Sequence, residues 1–411
     1  MKVLMLSWEY TPHIVGGLGK HVVELTPELI ACGVEVHLVV PRLAGGEFSE
    51  PLPLPDGSPA TNGSRVYRVN PSDIRGDFFA DRWHDNVEIE AFCTQLIRQH
   101  GGFDLIHNHD WLTGFSAVAL KHDFHLPLLT TIHATEMGRN RGNLYGGMQR
   151  AIHQTEWWLT YESWRIITCS QYMAWEVRTY FNAPEDKIDV IPNGVDTRRF
   201  DALRGRDLSD FRARFALPWE AIVYYVGRIV PEKGLSVLID AVPLVLSEWP
   251  NVKFVLAGGG SGYVDELRGK AHALGVADRI IFTGRIPDEE RDALFMVADV
   301  AVFPSLYEPF GIVALEAMAA GCPVVVSDVG GLSEVVRHNE TGIKVYPNDP
   351  GSLAWGILHT LKHPEWAKMR AKNASEEVRA LYNWHRIAGM TIAVYERIVR
   401  EARATDWAYR V

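Results

Sequence analysis

The sequence predicts an α/β protein built from two doubly wound domains. Three observations predict it: strand-length apolar runs alternate with longer helical patterns, the alternation halts once near the middle, and 411 residues are more than one core usually organises. Hydrophobic residues make up 47% and charged residues 22%, so both domains can fill real cores, with disorder confined to the Pro-rich stretch near residue 55.

In the first half the expected strands are Lys2 to Leu6, Glu35 to Val40, Asp104 to His107, Leu128 to His133, Ile166 to Cys169 and Asp189 to Ile191. Helical stretches such as Lys20 to Ala31 and Arg150 to Ser163 lie between them. Residues 44 to 90, rich in Pro, Gly, Asp and Ser, read as an irregular excursion. The alternation stops at Asn193-Gly194-Val195-Asp196, and the polar, arginine-rich residues 197 to 220 read as the linker. A second series follows: Ile222 to Val226, Val252 to Ala257, Arg279 to Thr283, Val300 to Pro304, Pro323 to Ser327 and Gly342 to Tyr346. The expected domains are residues 1–195 and 205–388, with a C-terminal helix of about 390–411 able to cross back to the first.

A formal charge of −10 excludes a basic phosphate-backbone surface, so no nucleic-acid partner is expected. Cys32, Cys93, Cys169 and Cys322 show no C-x-x-C spacing and read as reduced thiols. The apolar run within Met1 to Glu9 is too short for a signal peptide or a membrane span, so the expected location is the cytoplasm.

Motifs gather where strands end. Gly16-Gly17-Leu18-Gly19 precedes an amphipathic helix; glycines there let backbone amides reach an anion or sugar, although a lone Gly-rich turn is more often only a turn. Gly258-Gly259-Gly260-Ser261-Gly262 lacks the acid that a dinucleotide fingerprint needs at the end of the next strand. Arg228 and Lys233 follow the first strand of the second domain, where a guanidinium fork and an ammonium suit a diphosphate. In Ser305 to Glu316, Glu308 falls in a loop and Glu316 on a helix, with the amides of Phe310, Gly311, Ile312 and Val313 free at the helix start. His133 closes an apolar strand, and such strand ends bind ligands. In His107-Asn108-His109-Asp110-Trp111, side chains alternate between faces, so acceptor binding by Asp110 and Trp111 is favoured over metal ligation. There is no Asp-x-Asp, P-loop or nucleophile-elbow motif.

The Glu308-Pro309-Phe310-Gly311 to Glu316 element resembles that of the retaining glycosyltransferases that include bacterial sucrose-phosphate synthases and mannosyltransferases. Gly16 to Gly19, His133, Ser170, Asn193 to Asp196, Gly227-Arg228 with Lys233, and Gly330-Gly331 accompany it in order, over nearly the whole chain. Trp8-Glu9-Tyr10, His109-Asp110-Trp111 and Glu156 to Glu162 are similar to short glycogen and starch synthases, whereas Ile14-Val15 stands where bacterial glycogen synthases carry Lys-Thr. The resemblance implies a GT-B fold, two Rossmann-like domains facing across a cleft, working without a cofactor or required metal. It implies that Arg228 and Lys233 neutralise the leaving diphosphate, that His133 meets the donor sugar, and that Glu308 binds its hydroxyls. Glu316 would hold the ribose, Gly16, Gly17 and Leu18 would offer backbone contacts, and Arg285 and Ile286 would flank the base. The expected reaction moves glucose from ADP-glucose or UDP-glucose onto an α-1,4-glucan. The alternatives are a small disaccharide or sugar-phosphate product, a surface glycan, a non-catalytic nucleotide-sugar sensor and, more weakly, an epimerase.

Overall fold

The computed structural model describes residues 1–260 and 262–407; Ser261 of the Gly-rich loop and residues 408–411 of the expected crossing helix lie outside the described residues. The chain divides into two units, Met1–Gly194 with the segment from Trp384 onward, and Val195–Asn383.

The first unit holds β1 (Lys2–Leu6), β2 (Glu35–Pro41), β3 (Ser49–Pro51), β4 (Arg65–Val69), β5 (Leu105–His109), β6 (Leu128–Ile132), β7 (Arg165–Thr168) and β8 (Ile188–Val190). They form one sheet in the order β3-β4-β2-β1-β5-β6-β7-β8, parallel except for the β3–β4 pair. Central strands are covered on both faces, which is why β1 and β6 are uniformly buried beyond Lys2. The irregular excursion expected over residues 44 to 90 is instead ordered: it contributes the edge strand β3 and its neighbour β4 and opens the helix Phe78–His100, capped by the Asp77 carboxylate on the Ala80 amide at 2.9 Å. The Pro-rich stretch is pinned by the fully buried Leu52 and a Pro53–Pro59 bridge.

The second unit holds β9 (Ala221–Val226), β10 (Val252–Ala257), β11 (Ile280–Gly284), β12 (Val300–Phe303), β13 (Val324–Ser327) and β14 (Ile343–Val345). All are parallel, in the order β11-β10-β9-β12-β13-β14. The stretch read as linker is part of this unit and carries two short helices, Arg198–Asp201 and Ser209–Ala213. Among the described residues, no helix is long and apolar enough to cross a membrane.

In each sheet the strand order reverses at one place, between β1 and β5 and between β9 and β12. Loops leaving neighbouring strands part there in opposite directions, opening a crevice at the carboxyl ends of the strands.

The last helix, Trp384–Arg403, completes the first unit. Its buried Trp384, Ile387, Ala388, Thr391, Val394, Tyr395 and Ile398 recur at helical spacing and form one apolar stripe against helix Gly17–Ala31 and the sheet. Trp384 stands over Gly194, where an added Cβ would lie 2.8 Å from the indole, and its Nε1 donates to the Glu24 carboxylate. The Trp384→Ala variant is expected to lose about 3–5 kcal/mol of stability by removing this buried ring, to be read from urea unfolding of the full chain.

Candidate active site

The first crevice begins with an internal anion. Glu9, just past β1, aims Oε2 into the Gly-rich turn and accepts from the amides of Val15 at 2.8 Å, Gly16 at 3.0 Å and Gly19 at 3.3 Å. This is the geometry expected of a carboxylate at a helix N-terminus, here the start of Gly17–Ala31. It requires glycine at position 19, where a Cβ would sit 2.7 Å from the same oxygen. Part of the amide set expected to serve a ligand is thus engaged by Glu9; Gly17 is exposed and Leu18 is buried.

Beside this turn, four histidines pack together. His107 and His109 both lie on β5, and His133 follows β6; His21 reaches them from helix Gly17–Ala31. His133 Nε2 lies 3.1 Å from His109 Nδ1, and the His21 ring stands edge-on to His133 at 4.8 Å. His21 Nδ1 is 2.6 Å from Asn193 Oδ1, while His107 is held between the Tyr395 hydroxyl at 2.7 Å and the Thr131 hydroxyl at 2.8 Å. Burial disfavours every imidazolium here: it pushes His21 down to about 4, against the Asn193 hydrogen bond, and His107 to about 3, helped by the nearby His21. It also holds His109 and His133 well below the usual histidine range, with neighbouring rings adding to the effect. His133 is therefore a neutral, half-buried hydrogen-bonding group at neutral pH.

Asp110 fixes His133 by accepting its backbone N–H at 2.7 Å. Its own backbone has φ 58°, a costly conformation for a non-glycine residue, and Asn108 Nδ2 holds the Asp110 carbonyl at 2.7 Å. Burial raises Asp110 to about 7, against the opposing charge of Arg139. Next to it, Glu156 takes the Glu136 amide on both oxygens at 3.0 Å and is pushed well above the usual carboxylate range by burial, again against Arg139. Trp111, next in sequence to Asp110, turns inward. It is buried and stacks on Phe79 with ring centres 5.8 Å apart, because the short helix after β5 turns its side chain into the core.

The crevice of the second unit is assembled by close backbone approach. A Cβ on Gly258, at φ 148°, would lie 1.8 Å from the Gly227 carbonyl oxygen, and one on Gly260 2.2 Å from that of Ile229. The Gly227 amide donates to Ala257 at 3.1 Å and the Ile229 amide to Gly259 at 3.0 Å, zipping the loops after β9 and β10 together. Arg285, exposed after β11, packs against Gly259, and Ile286 is half-buried beside it. Gly234, at φ 69°, lets the next turn press on the Pro304 carbonyl, which a Cβ would approach to 1.9 Å.

That contact brings Lys233 to the loop after β12, where its Nζ lies 2.7 Å from Glu308 Oε2. Arg228 is exposed and lies 3.4 Å from Glu232. Phe310 is buried, and Gly311, at φ 103°, leads into helix Ile312–Ala320. The first intrahelical bonds run from Ala314 and Leu315 to the Gly311 carbonyl, so the Ile312 and Val313 amides precede them. Glu316, on the inner face of that helix, is 2% exposed; Arg199 donates to its Oε1, and Arg291 lies 3.9 Å away. In this state the carboxylate expected to meet a ribose is engaged in an internal ion network that begins in the stretch read as linker.

Two doubly wound units, each with a switch point in its parallel sheet, are the architecture of the GT-B fold. Comparison with known proteins agrees: residues 15–199 match the model of Glycosyltransferase Family 4, and residues 210–377 that of Glycosyl transferases group 1. An uncharacterized glycosyltransferase of Methanocaldococcus jannaschii is 40% identical over 96% of this chain and 98% of its own. A glycogen synthase of Mycobacterium tuberculosis is 36% identical over 96% and 94%. Among solved structures, a sucrose-phosphate synthase from Thermosynechococcus elongatus superposes with a TM-score of 0.79 at 26% identity, covering 97% of this chain and 99% of that one. The chain belongs to the GT-B glycosyltransferases of the family 4 and 5 type.

Sequence reasoning named Lys233, Glu308, Asp110 and His133 separately; the Lys233–Glu308 and Asp110–His133 contacts, and Glu9, His21 and Asn193 as partners, come from the structure. Glu9→Ala would leave the amides of the Gly-rich turn without their carboxylate, and is expected to lower stability by about 1–3 kcal/mol. Urea unfolding of the two chains measures this.

Proposed function

We propose that the chain is a retaining hexosyltransferase that moves glucose from ADP-glucose or UDP-glucose onto the end of an α-1,4-glucan. The observation that carries this reading is the Lys233–Glu308 pair at 2.7 Å on the loops leaving β9 and β12. Lys233 and Arg228 offer positive charge for the diphosphate as it leaves, the moment when negative charge develops. Glu308, released from Lys233 by the arriving diphosphate, accepts hydrogen bonds from the hydroxyls of the donor sugar. These cations supply the charge a metal would otherwise bring, so the transfer needs no added ion. In a front-face reaction the bond from the anomeric carbon to the diphosphate oxygen breaks as the acceptor oxygen attacks from the same side. The departing phosphate oxygen takes the acceptor's proton, and neutral His133 holds the sugar near the anomeric centre.

The surroundings of His133 favour a neutral acceptor. Arg139 is matched against Glu136 at 3.6 Å and sits in the field of Asp110 and Glu156, so of Arg139 and Arg141 only the exposed Arg141 is left for a phosphorylated sugar. The glycogen synthase relative points the same way, and the sucrose-phosphate synthase likeness makes a small product the alternative.

The test is to supply each nucleotide sugar with maltooligosaccharides, and separately with sugar phosphates, while following nucleotide release and chain length. Chain extension with one donor is expected; release only with phosphorylated acceptors would replace the glucan by a small product. Lys233→Ala and Glu308→Gln are each expected to lower turnover at least ~100-fold, and a near-normal rate in either folded variant would remove its assigned role.

A further inference from the structure

We propose that His21, His109 and His133 form a binding site for a borderline divalent transition-metal ion, with zinc as the type, and that a bound ion withdraws His133 from the transfer. The sequence offers no hint of the set, since His21 comes from a helix far from the other two. Folding brings one ring nitrogen of each to within 4.8 Å of the others. Ligand nitrogens around tetrahedral zinc stand about 3.4 Å apart at the usual bond length of about 2.0–2.1 Å, so small rotations of the rings close the set.

Two features distinguish this cluster from ordinary histidine packing. His21 is 4% exposed and His109 is fully buried, yet His21 Nε2 and His109 Nε2 have no hydrogen-bond partner. Buried polar atoms are nearly always partnered, so unpartnered nitrogens on two adjacent rings call for an explanation. In addition, the Asn193 carbonyl oxygen, 2.6 Å from His21 Nδ1, fixes the proton on that nitrogen and leaves the buried, unpartnered Nε2 as a lone pair. Metal-binding histidines are oriented by this kind of outer hydrogen bond. Nitrogen ligands select zinc, cobalt, nickel or copper over magnesium and calcium. His133 is half-buried and gives an ion its way in.

A second group, Glu35, His37 and His100, meets the same distance criterion but is already satisfied. His37 Nδ1 is 3.1 Å from the Tyr67 hydroxyl, its Nε2 is 2.8 Å from Glu35, and the Lys2 ammonium lies 3.8 Å from that carboxylate. It therefore serves as the control.

The inhibitory half of the proposal rests on the glycosyltransferase reading above; the binding half does not. Tag-free, EDTA-treated full-length protein is titrated with Co²⁺ and its visible spectrum followed, and Zn²⁺ is then added. A tetrahedral cobalt spectrum displaced by zinc is expected, lost in His21→Ala and His109→Ala but kept in His37→Ala, with circular dichroism confirming that each variant folds. Asn193→Ala, which keeps all three ligands, is expected to weaken binding ~10–100-fold. No cobalt spectrum in the folded parent, or one that survives His109→Ala and disappears with His37→Ala, would overturn the site. For whichever donor turns over, zinc is expected to suppress the rate and EDTA to restore it. Cobalt binding with a rate indifferent to zinc would overturn the inhibitory role while leaving the transferase reading intact.

Discussion

Everything in the second unit depends on how closely its loops touch at the strand ends. The Gly227 carbonyl occupies the space a side chain at position 258 would need, and the Pro304 carbonyl that of a side chain at 234. No other residue type fits at either place without moving the backbone. Because the loops meet, Lys233 and Glu308, which are far apart in sequence and leave different strands, face each other at 2.7 Å. The first unit solves the same problem with charge: the Glu9 carboxylate gathers three amides and sets the entry of helix Gly17–Ala31 beside β5 and β6.

Electrostatics then divides the work between the two crevices. The second unit concentrates formal charge: Arg228 at the surface, Lys233 and Glu308 half-buried together, and Glu316 deep against Arg199 and Arg291. The first unit excludes charge from its imidazoles by burying them, and Asp110 holds the His133 backbone.

Much of this was legible in the sequence because parallel strands buried on both faces must be continuously apolar. The strands Val300–Phe303 and Ala221–Val226 announce themselves this way, and the glycines and charges that follow them mark the crevices. The elements that were missed lack that signal. Strand Arg65–Val69 carries two arginines three positions apart, which breaks both an apolar run and a period-two pattern, and helix Phe78–His100 exposes most of a polar surface. The His21–Asn193 contact and the Arg199–Glu316 pair join residues 172 and 117 positions apart, and neither carries a local pattern. The burial of Trp111 was not legible because an aromatic residue beside an acid reads equally well as sugar platform or as core. Only the turn after β5, bent by the positive φ of Asp110, decides for the core.

The central claim is that Lys233, paired with Glu308 in the absence of ligand, is the residue that receives the donor's diphosphate. Calorimetric titration of the full chain with ADP and with UDP, compared with its Lys233→Ala variant, tests this without any assumption about the acceptor. The account predicts that one of the two nucleotides binds, that the variant binds it at least ~10-fold more weakly through loss of a charge-assisted contact, and that added salt narrows the difference. Equal affinity in the parent and the folded variant would contradict it.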